Sequence, residues 1–230
     1  MRTNYIFLGV VAVAAFILME PGRIRWFLQL FRKKRPERIV QFPGSVPLKW
    51  GEYFWEGKTV LRSWAGFQER LGPYAWVSSS EPSKGEVRLY VSSPDENNQK
   101  NPAPPSESQT KAFSYLQEND QSVQQKVLKA IFDVYSKWRE SYRSFLGQRF
   151  DQEMPVLFTP LDLKPLIGLS TIHILSVDKD GLAYVGFEFG CTWEEEHGLG
   201  VMSHRDHIVD VGSAEEAFST SVAKEHASKG

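Results

Sequence analysis

The sequence predicts an α+β fold: a mainly antiparallel sheet with two or three helices packed on one face, preceded by an N-terminal transmembrane segment. The prediction rests on strand patterns in the first part of the domain, helical periodicity in the middle and strand patterns again after it. Strands and helices that are segregated along the chain are typical of α+β proteins. The 230 residues are 41% hydrophobic and 13% aromatic, which suits one folded domain with a real core.

Residues 5–19 form an uninterrupted apolar segment that Glu20, Pro21 and Gly22 end. A helix of this length spans about 22 Å, less than the roughly 30 Å hydrocarbon core, so flanking residues must snorkel or the bilayer must thin locally. We expect residues 1–22 to be a retained membrane anchor. Two alternatives are a signal peptide cleaved at residues 12–14 and a buried core helix.

Residues 23–50 begin with a basic amphipathic collar and end in a linker. Seven Lys and Arg side chains alternate with apolar and aromatic ones, a mixture that suits the membrane interface. Because these cations follow the apolar segment, the positive-inside rule predicts a single-pass protein with its large domain in the cytoplasm.

Charge is divided unevenly along the chain. Residues 1–40 carry a formal charge of +6 and residues 41–230 carry −7. An acidic domain is a poor nucleic-acid binder, since that affinity comes largely from neutralised phosphates. Anionic lipid suits the collar, and a basic protein partner suits the domain. Cys191 is the one cysteine, so the chain has no intramolecular disulfide.

We expect the α+β domain to span residues 51–215. A hairpin is predicted over residues 53–62 with its turn at Glu56 and Gly57, followed by strands at residues 74–78 and 86–91. Residues 41–50, with Pro43, Gly44 and Pro47, have the composition of a linker.

Three helices are predicted next. Ser106 and Gln109 form a capping-box pattern, Asp120 is expected to cap a longer helix, and Thr159 with Pro160 opens a short third one. The longer helix carries an apolar stripe at helical spacing, made of Val123, Val127, Ile131, Val134, Trp138, Tyr142 and Phe145.

The chain then returns to strands, at residues 169–177, 183–189, 201–203 and 207–211. Their β-branched and alternating composition predicts antiparallel pairing across short turns. Residues 216–230 are expected to be a flexible tail.

Candidate functional residues concentrate after the predicted strand 183–189. We expect an exposed acidic turn that acts as a binding surface, with Trp193 as its aromatic anchor and Glu194, Glu195, Glu196 and His197 around it. The alternative is a metal-dependent hydrolase whose ligands come from Glu196, His197, His204 and His207, although the spacing matches no zinc motif. The binding interpretation requires no metal and no cofactor. His173, in an apolar strand, is interpreted as a hydrogen-bonded core histidine.

Two segments carry a family resemblance. Residues 54–68 and residues 186–201 resemble a bacterial domain of unknown function, the second through the series Trp193, acidic residues, Glu196, His197, Gly198, Leu199, Gly200 and Val201. Similar domains occur among proposed immunity proteins of polymorphic toxin systems. The resemblance implies a binding role and transfers no catalytic residue.

These observations favour a membrane-tethered, non-enzymatic binding protein at the bacterial inner membrane, an immunity-type partner of a basic toxin or effector. The metal-dependent hydrolase and an envelope scaffold or assembly factor are the alternatives.

Overall fold

An eight-stranded sheet organises the protein, whose computed structural model describes residues 37–70, 81–95 and 101–229. Its strands are β1 (Ile39–Phe42), β2 (Val46–Trp50), β3 (Phe54–Val60), β4 (Glu86–Ser92), β5 (Ile167–Lys179), β6 (Leu182–Cys191), β7 (Leu199–His204) and β8 (His207–Gly212). Neighbours in the sheet follow chain order, and every pair is antiparallel except β4 with β5. A parallel pair needs a long crossover, which residues 93–166 supply with their helices. The α+β class and the mainly antiparallel sheet are confirmed.

The helices of the described residues are α1 (Glu107–Glu118), α2 (Asp120–Leu146), α3 (Phe150–Glu153) and α4 (Thr220–Ser228). The capping box of α1 is confirmed, because the Gln109 amide donates to Ser106 Oγ at 3.3 Å and the Ser106 amide donates to Gln109 Oε1 at 2.8 Å. Asp120 does not cap α2, whose N-cap is Asn119. The Asp120 carboxylate instead accepts hydrogen bonds from the Ser63 amide at 2.9 Å and the Ser63 hydroxyl at 2.6 Å, and these bonds tie α2 to the turn after β3.

The N-terminal part of the sheet differs from the prediction. The expected linker at residues 41–50 is instead the β1–β2 hairpin, which turns at Gly44 with φ 70°. The expected hairpin at residues 53–62 is wrong, since β3 runs straight through Gly57. A methyl group on Gly57 would lie 2.7 Å from Leu48 Cδ2, so this glycine allows close strand packing rather than a turn. The predicted strand at residues 74–78 lies outside the described residues.

Helices cover both faces of β5, β6 and β7. On one face, Phe113 and Leu116 of α1 share a core with Ile172 and Phe187. Successive side chains of a strand face opposite sides of the sheet. On the second face, Ala223 of α4 packs with Leu175, Tyr184 and Met202. The predicted flexible tail at residues 216–230 is therefore wrong over Thr220–Ser228, which form a helix with a buried face. The expectation that all helices share one sheet face is wrong for the same reason.

A 3-10 turn at Ala214–Phe218 also covers part of this second face. Its close approach to the sheet depends on two glycines. A methyl group on Gly186 would overlap the Ala217 carbonyl oxygen, and one on Gly200 would overlap the Ser213 carbonyl oxygen. Beyond this turn, the same face of β3 and β4 carries no helix among the described residues, and Phe54 and Tyr90 lie there half-buried. The 3-10 turn and these two strands therefore border a cleft.

The described part of the chain contains no helix that is both long and apolar enough to cross a membrane. The predicted anchor at residues 5–19 and the cationic part of the collar up to Arg35 lie outside the described residues.

Candidate functional site

Residues 194–198, which we call the acidic turn, connect β6 to β7. The turn closes through a 3.0 Å bond from the Gly198 amide to the Glu194 carbonyl, and Gly198 adopts φ 59°, a conformation that suits glycine. Glu195, Glu196 and His197 are exposed, as the sequence predicts for them.

Trp193 differs from the prediction. Its exposed fraction is 3%, and its ring packs edge-on against Tyr135 with centroids 5.4 Å apart at 81°. The indole is therefore a core residue under the turn, and its expected role as an exposed anchor is wrong. The acidic residues next to Trp193 in the sequence favoured an exposed position, but the Tyr135 ring of α2 covers the indole.

Glu194 fixes the base of the acidic turn. Its carboxylate accepts from the Tyr142 hydroxyl at 2.6 Å and from the His197 amide at 3.3 Å, and it lies 3.2 Å from His197 Nδ1. Burial opposes ionisation of this carboxyl, but the three hydrogen bonds outweigh it and lower its pKa. Burial, together with the bond to Glu194, raises the pKa of Tyr142. These bonds tie the acidic turn to α2.

The acidic turn separates two clefts. The first, of about 260 Å³, lies against α2 between Trp138, Tyr142 and Glu194. The second, which we call the aromatic cleft, has a volume of about 370 Å³ and lies on the second sheet face. His197 and Ser213 line both, so one turn contributes to two adjoining cavities.

Five rings and three carboxylates line the aromatic cleft. The rings belong to Phe54, Tyr90, His173, His197 and Phe218, and the carboxylates to Glu188, Glu196 and Glu215. His173 is buried, and its Nε2 lies 2.7 Å from Glu188 Oε2, so it is hydrogen-bonded as the sequence predicted. It also forms part of a cavity wall, which the sequence did not indicate.

The alternative metal ligands do not converge. His204 is 7% exposed and lies 2.9 Å from the Lys179 carbonyl through its Nε2, while the exposed His207 stacks on His226 at 5.4 Å. Glu196 and His197 lie at the acidic turn. Within residues 37–70, 81–95 and 101–229, no group of three or more potential ligands is placed to hold a metal ion.

Cys191 is buried next to the acidic turn. Burial raises the pKa of its thiol to about 12, partly opposed by a hydrogen bond to the Glu194 carbonyl. A thiol so rarely ionised is a packing residue rather than a nucleophile.

Comparison with known families matches residues 69–218, more than half of the chain, to the family described as Domain of unknown function (DUF6985). The chain belongs to this family. The DUF6985 match includes the acidic turn and Tyr90, His173, Glu188 and Phe218 of the aromatic cleft, whereas Phe54 precedes it. No curated protein and no solved structure matches the chain.

Proposed function

We propose that this DUF6985 protein is a non-enzymatic binding protein of the immunity type, which binds a basic protein partner through its acidic turn. The observation that carries the proposal is the fixed geometry of that turn. Glu194 is bound from two sides by Tyr142 and His197, while Glu195 and Glu196 face solvent. A surface that is ordered before binding loses less conformational entropy when a partner docks.

Charge supports the same partner class. The formal charge of residues 41–230 is −7, and complementary charge speeds encounter and orients the partner. In the described part of the chain Cys191 is buried and no group of three or more potential ligands is placed to hold a metal ion, so no such group favours the alternative hydrolase. The resemblance of residues 186–201 to domains found among proposed immunity proteins supports the immunity type.

The partner is tested by site-specific photo-crosslinking of the full chain in cells that naturally express it. A photoreactive residue at Glu195 is expected to capture one basic protein, and the same residue at Lys129, exposed on the outer surface of α2, is expected to capture none. The captured protein, expressed without this chain, should arrest growth, and co-expression should restore it. A harmless captured protein would favour the scaffold alternative, and identical adducts from both positions would remove the binding assignment.

We also propose that residues 5–19 and the basic collar tether the domain to the inner face of the bacterial inner membrane. The cations behind the apolar segment support this orientation. A reporter that works only in the cytoplasm, fused after Gly230, should be active, and the chain should sediment with membranes after alkaline washing. A periplasm-dependent reporter that is active at the same position, or a mature chain that begins near Ala15, would contradict the tether.

A further inference from the structure

We propose that the aromatic cleft binds one cationic side chain, an arginine or lysine, from the partner protein. The proposal rests on the function proposed above and adds to it the second contact region and the chemistry recognised there.

The rings that line the cleft come from separate parts of the fold. Phe54 of β3 and Tyr90 of β4 lie parallel, at 2° with centroids 5.6 Å apart. His173 of β5 stands nearly perpendicular to Tyr90, at 76° and 5.7 Å, and Phe218 of the 3-10 turn lies 5.1 Å from His173. Aromatic rings attract a cation within about 6 Å of their centroids, and they pack well against the aliphatic stem of a long side chain.

Carboxylates make the cleft electronegative. Glu188 lies deep in it with a side-chain exposed fraction of 12%, paired to His173, and Glu196 and Glu215 line it as well. The lining contains no Lys or Arg side chain among the described residues. Three carboxylates beside apolar rings disfavour a phosphate or another anion, and they are complementary to a guanidinium or ammonium group.

Size and position fit a single side chain. A cavity of about 370 Å³ lies at the lower end of the roughly 300–1,000 Å³ typical of ligand pockets. Glu196 and His197 belong both to the acidic turn and to the cleft lining. A partner that docks on the turn therefore brings its own side chains to the mouth of the cleft.

The test titrates the full chain with Nα-acetyl-arginine amide and Nα-acetyl-lysine amide, observed through the NMR resonances of the Phe54, Tyr90 and Phe218 rings. At least one of these probes is expected to bind saturably, with a dissociation constant of roughly millimolar order. Nα-acetyl-citrulline amide, which has the shape of the arginine probe without its charge, should bind at least about tenfold more weakly. Equal binding of the citrulline probe, or no saturable shift with either cation, would overturn the proposal.

Variants locate the site. Glu196→Gln and Glu215→Gln should each weaken binding by about threefold, and Phe218→Ala by about fivefold to tenfold. Glu118→Gln is the matched control, because Glu118 is exposed at the end of α1 and does not line the cleft, and this variant should bind the probe like the unchanged chain. Thermal melts confirm that each variant is folded. A loss in Glu118→Gln as large as that in Glu196→Gln would reject the cleft as the site.

The outcome is separable from that of the proposed function. If the Glu195 crosslink to a toxic basic protein persists in Phe218→Ala with unchanged affinity, the immunity function stands and the cleft assignment fails. If the cleft binds the cationic probe but no basic protein is captured, the cleft assignment stands and the immunity function fails.

Discussion

Replacing Trp193 by alanine tests whether the indole belongs to the core or to a binding surface. The side chain is 3% exposed and packs edge-on against Tyr135 of α2, directly beneath the acidic turn. Alanine removes the ring from this position and leaves its space next to the 260 Å³ cleft that Trp193 already lines.

The magnitude follows from the buried area. A buried tryptophan removes roughly 150–250 Å² from water, worth about 4–6 kcal/mol at 25 cal/mol per Å². Measured Phe and Trp to Ala changes in cores cost about 3–5 kcal/mol. Because the vacated space adjoins this open cleft, we expect the lower end of this range, a loss of about 3 kcal/mol in the free energy of unfolding.

The measurement is urea denaturation of the full chain followed by circular dichroism. Phe145→Ala is the matched control, since that ring is 73% exposed on α2 and its removal should change the free energy of unfolding by less than about 0.5 kcal/mol. A loss below about 1 kcal/mol in Trp193→Ala, together with loss of the crosslinked partner, would refute the core assignment and restore Trp193 as an interface anchor.

Three further predictions concern the parts that frame the clefts. Gly186→Ala should lower the free energy of unfolding by about 1–3 kcal/mol, because the added methyl group overlaps the backbone of Ala217. In the control Gly51→Ala the methyl group meets only the movable Glu56 side chain, and the loss should be less than about 0.5 kcal/mol. Cys191 should resist iodoacetamide at pH 8 in the folded chain and react in urea. A pKa of about 12 leaves a thiolate fraction of about 10⁻⁴ in the folded chain, so rapid labelling there would contradict this prediction. The pKa of His226 is lowered by burial and then by the cations and histidines beside it, Lys179, His207, His204 and Lys229. The unfolded chain therefore binds this proton more readily, so stability should fall as pH drops below about 6.5, and less steeply in His226→Gln; equal slopes from pH 7 to pH 5.5 would contradict it.

Elements with local signals were predictable from the sequence. The capping box of Ser106 and Gln109 involves residues three apart, and the β5–β6 and β7–β8 hairpins turn at Asp180 and Arg205, which take φ 52° and 57°. The family assignment as a domain of unknown function was also predicted and is confirmed. Such features depend on neighbours along the chain, which the sequence displays directly.

Features that depend on distant partners were missed. Gly57 is typical of a turn, but its pairing partner in the β3–β4 ladder is Leu89, which lies 32 residues further along the chain. Trp193 stands among acidic residues, and only the position of Tyr135 on α2 decides that its ring is covered. Thr220–Ser228 looks polar in the sequence, yet the helix buries one face. A short helix needs only a few small and apolar residues, such as Ala223, to do so.

The aromatic cleft was missed because its members are far apart in sequence, yet one signal pointed to it. His173 and Glu188 each interrupt an apolar strand, and those two strands were predicted to form a hairpin. The ladder pairs Thr171 with Glu188 and His173 with Gly186, which places the two polar side chains on the same face as diagonal neighbours. When two polar residues of a predicted hairpin become cross-strand neighbours on one face, they indicate a cavity or a buried pair more strongly than either residue does alone.

The cleft exists because helical cover of the second sheet face is incomplete. Gly186 and Gly200 let the 3-10 turn Ala214–Phe218 lie directly on β6 and β7, and that turn places Phe218 opposite Tyr90 at the boundary where cover ends. A change at either glycine displaces this wall without touching the acidic turn's own bonds between Glu194 and Tyr142. The 3-10 turn and the acidic turn also share one hydrogen bond, from the Ala214 amide to the His197 carbonyl at 3.0 Å. Gly186→Ala should therefore weaken binding of the cationic probe more than it lowers the yield of the Glu195 crosslink, which the bond between Glu194 and Tyr142 supports.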